Sequence, residues 1–219
     1  MSMRYDRLFG LFIVVVMLGS LAGVAVYNMD DTTQDPNGND PIDDGSFEVN
    51  GFYFYEDLSL GGYVTLTVDE LGNALSVPFR ADPRNVSHIT IEDTAVSQIV
   101  NAQKVYLTFD PNIENFEETK NDVQIAMGEV SRLISRVNVN QVVPTAAITA
   151  DIPNETYDDT IPLKDCTHAT DTVAVLYFTV GEGDTAKMQG NCTIISGNTG
   201  EDLILTADKY GMYLIGVKV

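Results

Sequence analysis

Val173-Ala-Val-Leu-Tyr-Phe-Thr-Val180 is followed by Gly181-Glu-Gly-Asp184, then by Thr185 to Ser196, then by a helix-patterned stretch that runs to about Leu214. Eight residues rich in β-branched and aromatic side chains, closed by glycines, read as a strand. Thr185 to Ser196 reads as the second strand of the pair. Asn198 or Thr199 is suited to cap the final helix, with Glu201 and Asp202 placed where acids favour the positive end of a helix dipole. A strand, a turn, a strand and a packed helix within about forty residues point to an α/β or α+β fold.

Working back from there, the same grammar repeats. Val105 to Phe109 is a strand candidate ending at Asp110-Pro111. A helix follows from about Thr119 to Val137, because Val123, Ala126, Met127, Val130, Leu133, Ile134 and Val137 fall at helical spacing. Gln141 to Ile152, interrupted at Pro144, reads as a strand, and residues 153–172 as polar loop. Earlier still the period changes to two. Phe47 and Val49, then Phe52 and Phe54, alternate around a turn or bulge at Gly51. Tyr63 to Val68 and Ala74 to Phe79 flank Asp69-Glu-Leu-Gly-Asn73 as a hairpin, with Pro78 marking an edge strand or strand end. His88 to Glu92 reads as a short strand, and Asp93 as the cap of a short helix through Val100. The expectation is one mixed-sheet domain over residues 47–219, with about two main helices.

The remaining sequence sets the compartment. Leu8 to Tyr27 is uncharged throughout, and a helix of that length spans a bilayer. Arg4 and Arg7 precede it and only acids follow closely, which predicts a cytoplasmic N-terminus at residues 1–7, a single-pass anchor at 8–27 and an extracytoplasmic remainder. Gly23-Val24-Ala25 offers the alternative of a cleaved signal peptide. Residues 28–46 hold almost no aliphatic side chain and read as a flexible acidic tether. Within it Asp35, Asn37, Asn39 and Asp43 fall at calcium-loop spacing. Asp40 stands where such loops turn on Gly, and Ser46 where they end on an acid, so a solvated tether is the first reading and Ca2+ binding the alternative.

Thirty-two acids against twelve bases give a formal charge of −20. Such a surface repels nucleic acid and anionic headgroups, and suits cations, basic partners or high salt. Cys166 and Cys192, both beyond the anchor, most economically form one disulfide. A zinc site would need His168 and His88 as well, and their spacing matches no zinc motif. Asn85, Asn154 and Asn191 begin N-glycosylation sequons. A hydrolase could use His168 as base beside Asp165, with Thr167 or Thr170 as nucleophile, while Asp110 stands at a strand end where open sheets place ligands. The chain carries no G-x-S-x-G, no H-E-x-x-H and no Gly-rich phosphate loop.

Asn50-Gly-Phe52, Pro78-Phe-Arg80, Tyr106 to Pro111, Ala126 with Glu129, Gly190-Asn-Cys192, Ala207-Asp-Lys209 and Leu214-Ile-Gly216 occur in that order. As an ordered set they resemble uncharacterised single-pass envelope proteins of small-genome archaea of the DPANN kind. The resemblance implies a membrane-anchored envelope location and this fold. The anchor, the tether, the compact domain and the lack of a catalytic motif lead to the expectation of a domain that binds or assembles with other envelope components. The family has no assigned activity, and no cofactor is expected.

Overall fold

The computed structural model describes residues 45–68, 72–113, 116–137, 142–151 and 161–219. The anchor, the tether up to Asp44, the calcium-spaced Asp35, Asn37, Asn39 and Asp43, and the sequon Asn154 lie outside the described residues. Among the described residues, no helix is long and apolar enough to cross a membrane.

The described chain is α+β, with two sheets and three helices. β1 (Phe47–Val49), β2 (Phe52–Asp57), β3 (Gly62–Val68) and β4 (Ala74–Phe79) form an antiparallel sheet in sequence order. Its inner face follows from the two-residue alternation: Phe54 lies opposite Thr65, and Thr65 opposite Val77. Asn50 and Gly51 take positive φ between β1 and β2, which is how the alternating run is folded into two strands. β4 is an edge strand, as Pro78 requires, since a proline has no N–H to give to a further neighbour.

The second sheet combines β5 (Thr90–Ile91), β6 (Lys104–Phe109), β7 (Thr145–Ile148), β8 (Val173–Val180), β9 (Thr185–Gln189) and β10 (Cys192–Gly197), in the order β5-β9-β10-β8-β6-β7. β10, β8, β6 and β7 are mutually parallel, while β9 runs antiparallel to β10. Three expectations change here. Thr185 to Ser196 is two strands, because Gly190 adopts φ 63° and turns the chain between β9 and β10. It is the second of them, β10, that pairs with β8, and it does so in parallel. The strand expected over Gln141 to Ile152 contracts to the four residues of β7, and that over His88 to Glu92 to the two of β5.

Three helices complete the fold: α1 (Asp93–Asn101), α2 (Phe116–Arg136) and α3 (Gly200–Leu214). Asp93 is the first residue of α1 and not its cap. The capping position belongs to Glu92, whose carboxylate instead accepts the backbone N–H of Met188 at 2.9 Å and ties the helix start to β9. α2 buries Val123, Ala126, Met127, Val130, Leu133 and Ile134 as its periodicity predicts. α3 begins at a reciprocal cap, Thr199 accepting from Asp202 N while Asp202 accepts from Thr199 N.

All three helices pack on one face of the six-stranded sheet. Leu107, Leu176, Phe178, Ile195 and Ala186 point to that face, and they share one core with Ile99, Val130, Leu203 and Tyr210. Phe54, Val77 and Phe79 of the small sheet join the same core. α3 is therefore enclosed from several sides, and seven consecutive residues from Thr206 to Met212 are buried. Two of them are charged. Asp208 accepts N–H groups from Arg80 (2.6 Å) and Ala81 (2.7 Å), while the Lys209 ammonium donates to the carbonyls of Val86 (2.9 Å) and Ile89 (2.8 Å). The Asp208 carboxyl thus takes the donors at one end of segment 80–89, and an ammonium takes the acceptors toward the other. Adjacent acidic and basic side chains on one helix turn, each satisfied by backbone groups, fasten the connection between the two sheets.

Candidate functional site

The crossover from β6 to β7 is made by α2 on the helix face. The return from β7 to β8 must pass over β6 again, and right-handed connections send it across the opposite face. The described part of that return, residues 161–172, contains no α-helix. It is held by side bonds instead. Ile148 N donates to Pro162 O, Lys164 N donates to Ile148 O, and the Thr108 hydroxyl donates to Lys164 O at 2.7 Å. The Lys164 ammonium sits 5.5 Å from the centre of the Tyr106 ring. Cys166 is joined to Cys192 of β10. Beneath them lies a small second core of Val175, Cys192 and Ile194, with Tyr106 and Tyr177 at its margin. The disulfide expected from the sequence is thus present, and it ties residues 161–172 to β10 on this face. With both thiols joined to each other, neither is a thiolate for zinc. Among the described residues, no group of three or more His, Cys, Asp or Glu is placed to hold a metal.

The cover is incomplete, and a cavity of about 440 Å³ opens beside the disulfide. Strand register builds its floor. Thr108, Tyr177, Ile194 and Lys187 stand opposite one another across β6, β8, β10 and β9, in one row on the helix-free face. Tyr177 and Ile194 line the cavity from this row. Cys166, Thr167, Gln189, Gly190 and Glu182, the last from the turn after β8, complete its lining. Partial burial, and then the charges of Asp110 and Glu182, hold the Tyr177 phenol above its ordinary pKa, against a hydrogen bond with Thr179.

The predicted catalytic candidates frame this site more than they equip it. Cys166 to His168 is one turn of 3-10 helix capped by Asp165. The Thr167 hydroxyl donates to Asp165 Oδ1 at 2.5 Å, and His168 Nδ1 lies 2.8 Å from the same oxygen. Nucleophile and base candidates are therefore both directed at one carboxylate, an arrangement that closes a turn. The Thr167 and His168 bonds hold Asp165 below the usual carboxylate range. Thr170 Oγ1 accepts from Val173 N at 3.1 Å, and Asp110 Oδ1 accepts from Asn112 N at 2.9 Å, each closing a turn of its own. His88 is exposed on a separate turn. Asn85 and Asn191 are exposed, as glycan acceptors must be, while Thr193 of the Asn191 sequon is fully buried and donates to Ala95 O.

Sequence reasoning missed the second polar constellation, around Asp208. Glu129 bridges Arg80 (2.8 Å) and Arg132, and Arg132 also donates to Pro78 O at 2.8 Å. Burial, and next the Glu129 charge, push the Asp208 carboxyl up to about 7 against the N–H bonds it accepts. The available signal was the pair Asp208-Lys209 set among Leu203, Ala207, Tyr210 and Met212, two charges inside an apolar stretch. Pro78 to Arg80, Glu129 and Ala207 to Lys209, far apart in the chain, meet here as a structural joint.

Comparison with protein-family models, with curated proteins and with solved structures finds no match to this chain, so its functional reading rests on its own residues.

Proposed function

We propose that this chain is a membrane-tethered extracytoplasmic α+β domain that binds or assembles with other components of the cell envelope, and that nucleic acid is not among its partners. One observation carries the binding role: an open cavity whose frame is a disulfide-stapled turn and whose floor lies on the centre of a sheet. Preformed cavities lined by apolar and polar groups together are where proteins take ligands or partner side chains. The location rests on the sequence, through the uncharged run Leu8 to Tyr27, the charge asymmetry around it and the acidic composition. A disulfide is at home outside the cytoplasm. The resemblance to archaeal envelope proteins points the same way.

Protease treatment of intact cells tests the location: the domain is digested from outside while the N-terminus stays protected. Pull-down of the full chain from gently solubilised membranes tests the binding role. Recovery of the same envelope protein in several detergents and salts is the expected result. Recovery of the chain alone in all of them overturns the reading.

A further inference from the structure

We propose that the cavity beside the Cys166–Cys192 bridge receives a cationic side chain, arginine or lysine, from a partner protein. The proposal rests on the binding role above and specifies its chemistry. Tyr177 offers a ring wall and Ile194 an apolar floor for the aliphatic stem of a long side chain. Glu182 stands at the cavity's carboxyl-end rim, and Asp110 and Glu182 both act on the Tyr177 phenol. A cation arriving there meets the Glu182 carboxylate and a tyrosine ring, a combination that favours guanidinium and ammonium groups. Gln189 and Thr167 add neutral polar groups to the rim. Lys187 stands opposite Ile194 on the neighbouring strand, so the incoming charge is repelled from that side and held toward Glu182. The long-range field agrees, since a chain of charge −20 draws basic partners in.

The test uses the full chain in a neutral detergent, titrated with acetyl-Gly-Arg-Gly-amide and followed by NMR shifts of the Gly190 and Ile194 amides. The isosteric citrulline peptide is the uncharged control. The arginine peptide is expected to saturate these shifts and the citrulline peptide to leave them in place. Glu182→Gln weakens binding by roughly threefold, the scale of an exposed ion pair. Lys187→Gln tightens it by a similar factor, and Glu48→Gln, on the other sheet, changes nothing. Equal binding of both peptides overturns the proposal. So does an equal loss in Glu182→Gln and Glu48→Gln, which would mean attraction by the whole acidic surface. If pull-down yields a partner that binds Glu182→Gln and Tyr177→Phe as well as it binds the parent chain, the binding role stands and the cavity is not its site.

Discussion

The two faces of the six-stranded sheet solve the same problem by different means. One is covered by three helices, with a continuous core that reaches the small sheet. The other carries residues 161–172, held by a disulfide, over a core of three buried residues among those described. On the helix face, stability comes from burial and close approach, and even charges are sealed in. On the open face it comes from a covalent staple and a few hydrogen bonds, and space is left over. A face that must hold the fold is packed shut. A face stapled at one point can keep a cavity.

The largest effect expected lies on the packed side, at Asp208. Its carboxyl is raised from the ordinary 3.8 to about 7 in the fold, so between those values the folded chain binds the proton that the unfolded chain releases. Stability from this group is therefore full below about pH 4 and falls as pH rises to about 7. Three pKa units correspond to on the order of 4 kcal/mol. Asp208→Asn keeps an oxygen to accept the Arg80 and Ala81 N–H groups and removes the titration. Denaturation of wild type and Asp208→Asn at several pH values between 4 and 8 should show the variant's advantage growing with pH. A constant difference would mean that the joint is not sealed from solvent.

Glycines sharpen the contrast further. A Cβ on Gly197 would fall well inside contact distance of the Leu203 backbone nitrogen, where β10 meets α3. Backbone cannot yield as a side chain does, so Gly197→Ala should cost about 3 kcal/mol. A Cβ on Gly190, in the β9–β10 turn, meets nothing within 4 Å, and only its φ of 63° opposes substitution. Gly190→Ala should cost about 1 kcal/mol. Equal losses in urea denaturation would erase the distinction between a packed face and an open one.

The same contrast explains what could be read from the sequence. α2 was legible because it buries one stripe and exposes the rest, so its periodicity survives in the chain. α3 was legible at its cap, through Thr199 and Asp202, but not in its middle, where burial on several sides admits Asp208 and Lys209 to the core. Their partners lie more than a hundred residues earlier, at positions 80–89, and nothing local announces them. β8 was unmistakable. Its neighbours were not, since pairing with β6 on one side and β10 on the other is decided by crossovers that leave no local pattern. The disulfide was legible by arithmetic, because only two cysteines exist. The cavity was not. Tyr177, Ile194 and Glu182 meet only once the parallel register is known.

Reduction of Cys166–Cys192 probes the open face as a whole. Closing a loop of 26 residues contributes about 3 kcal/mol in the chain-entropy model. The loss should be uneven. Amide exchange should rise over residues 161–172 and at Ile194, while α2 and the centre of α3 stay protected. Uniform loss of protection would show that the staple supports the entire fold, and the two faces would then be one cooperative unit.

The smallest effect is the one that decides what the turn beside the cavity is for. If Asp165 is a cap, it outweighs His168, because it satisfies the Thr167 N–H and hydroxyl while the imidazole contributes one half-exposed pair. Asp165→Ala should cost about 1 kcal/mol, in the range of lost caps, and His168→Ala about 0.5 kcal/mol or less. The fold holds the Asp165 carboxyl below its ordinary pKa, so its contribution is present at neutral pH and disappears as pH falls through the lowered value. Both variants should leave any hydrolytic activity of the purified chain unchanged. A measurable hydrolysis abolished by His168→Ala, with stability intact, would turn the turn from a frame into a catalytic group. It would also make the open face the reactive side of the molecule.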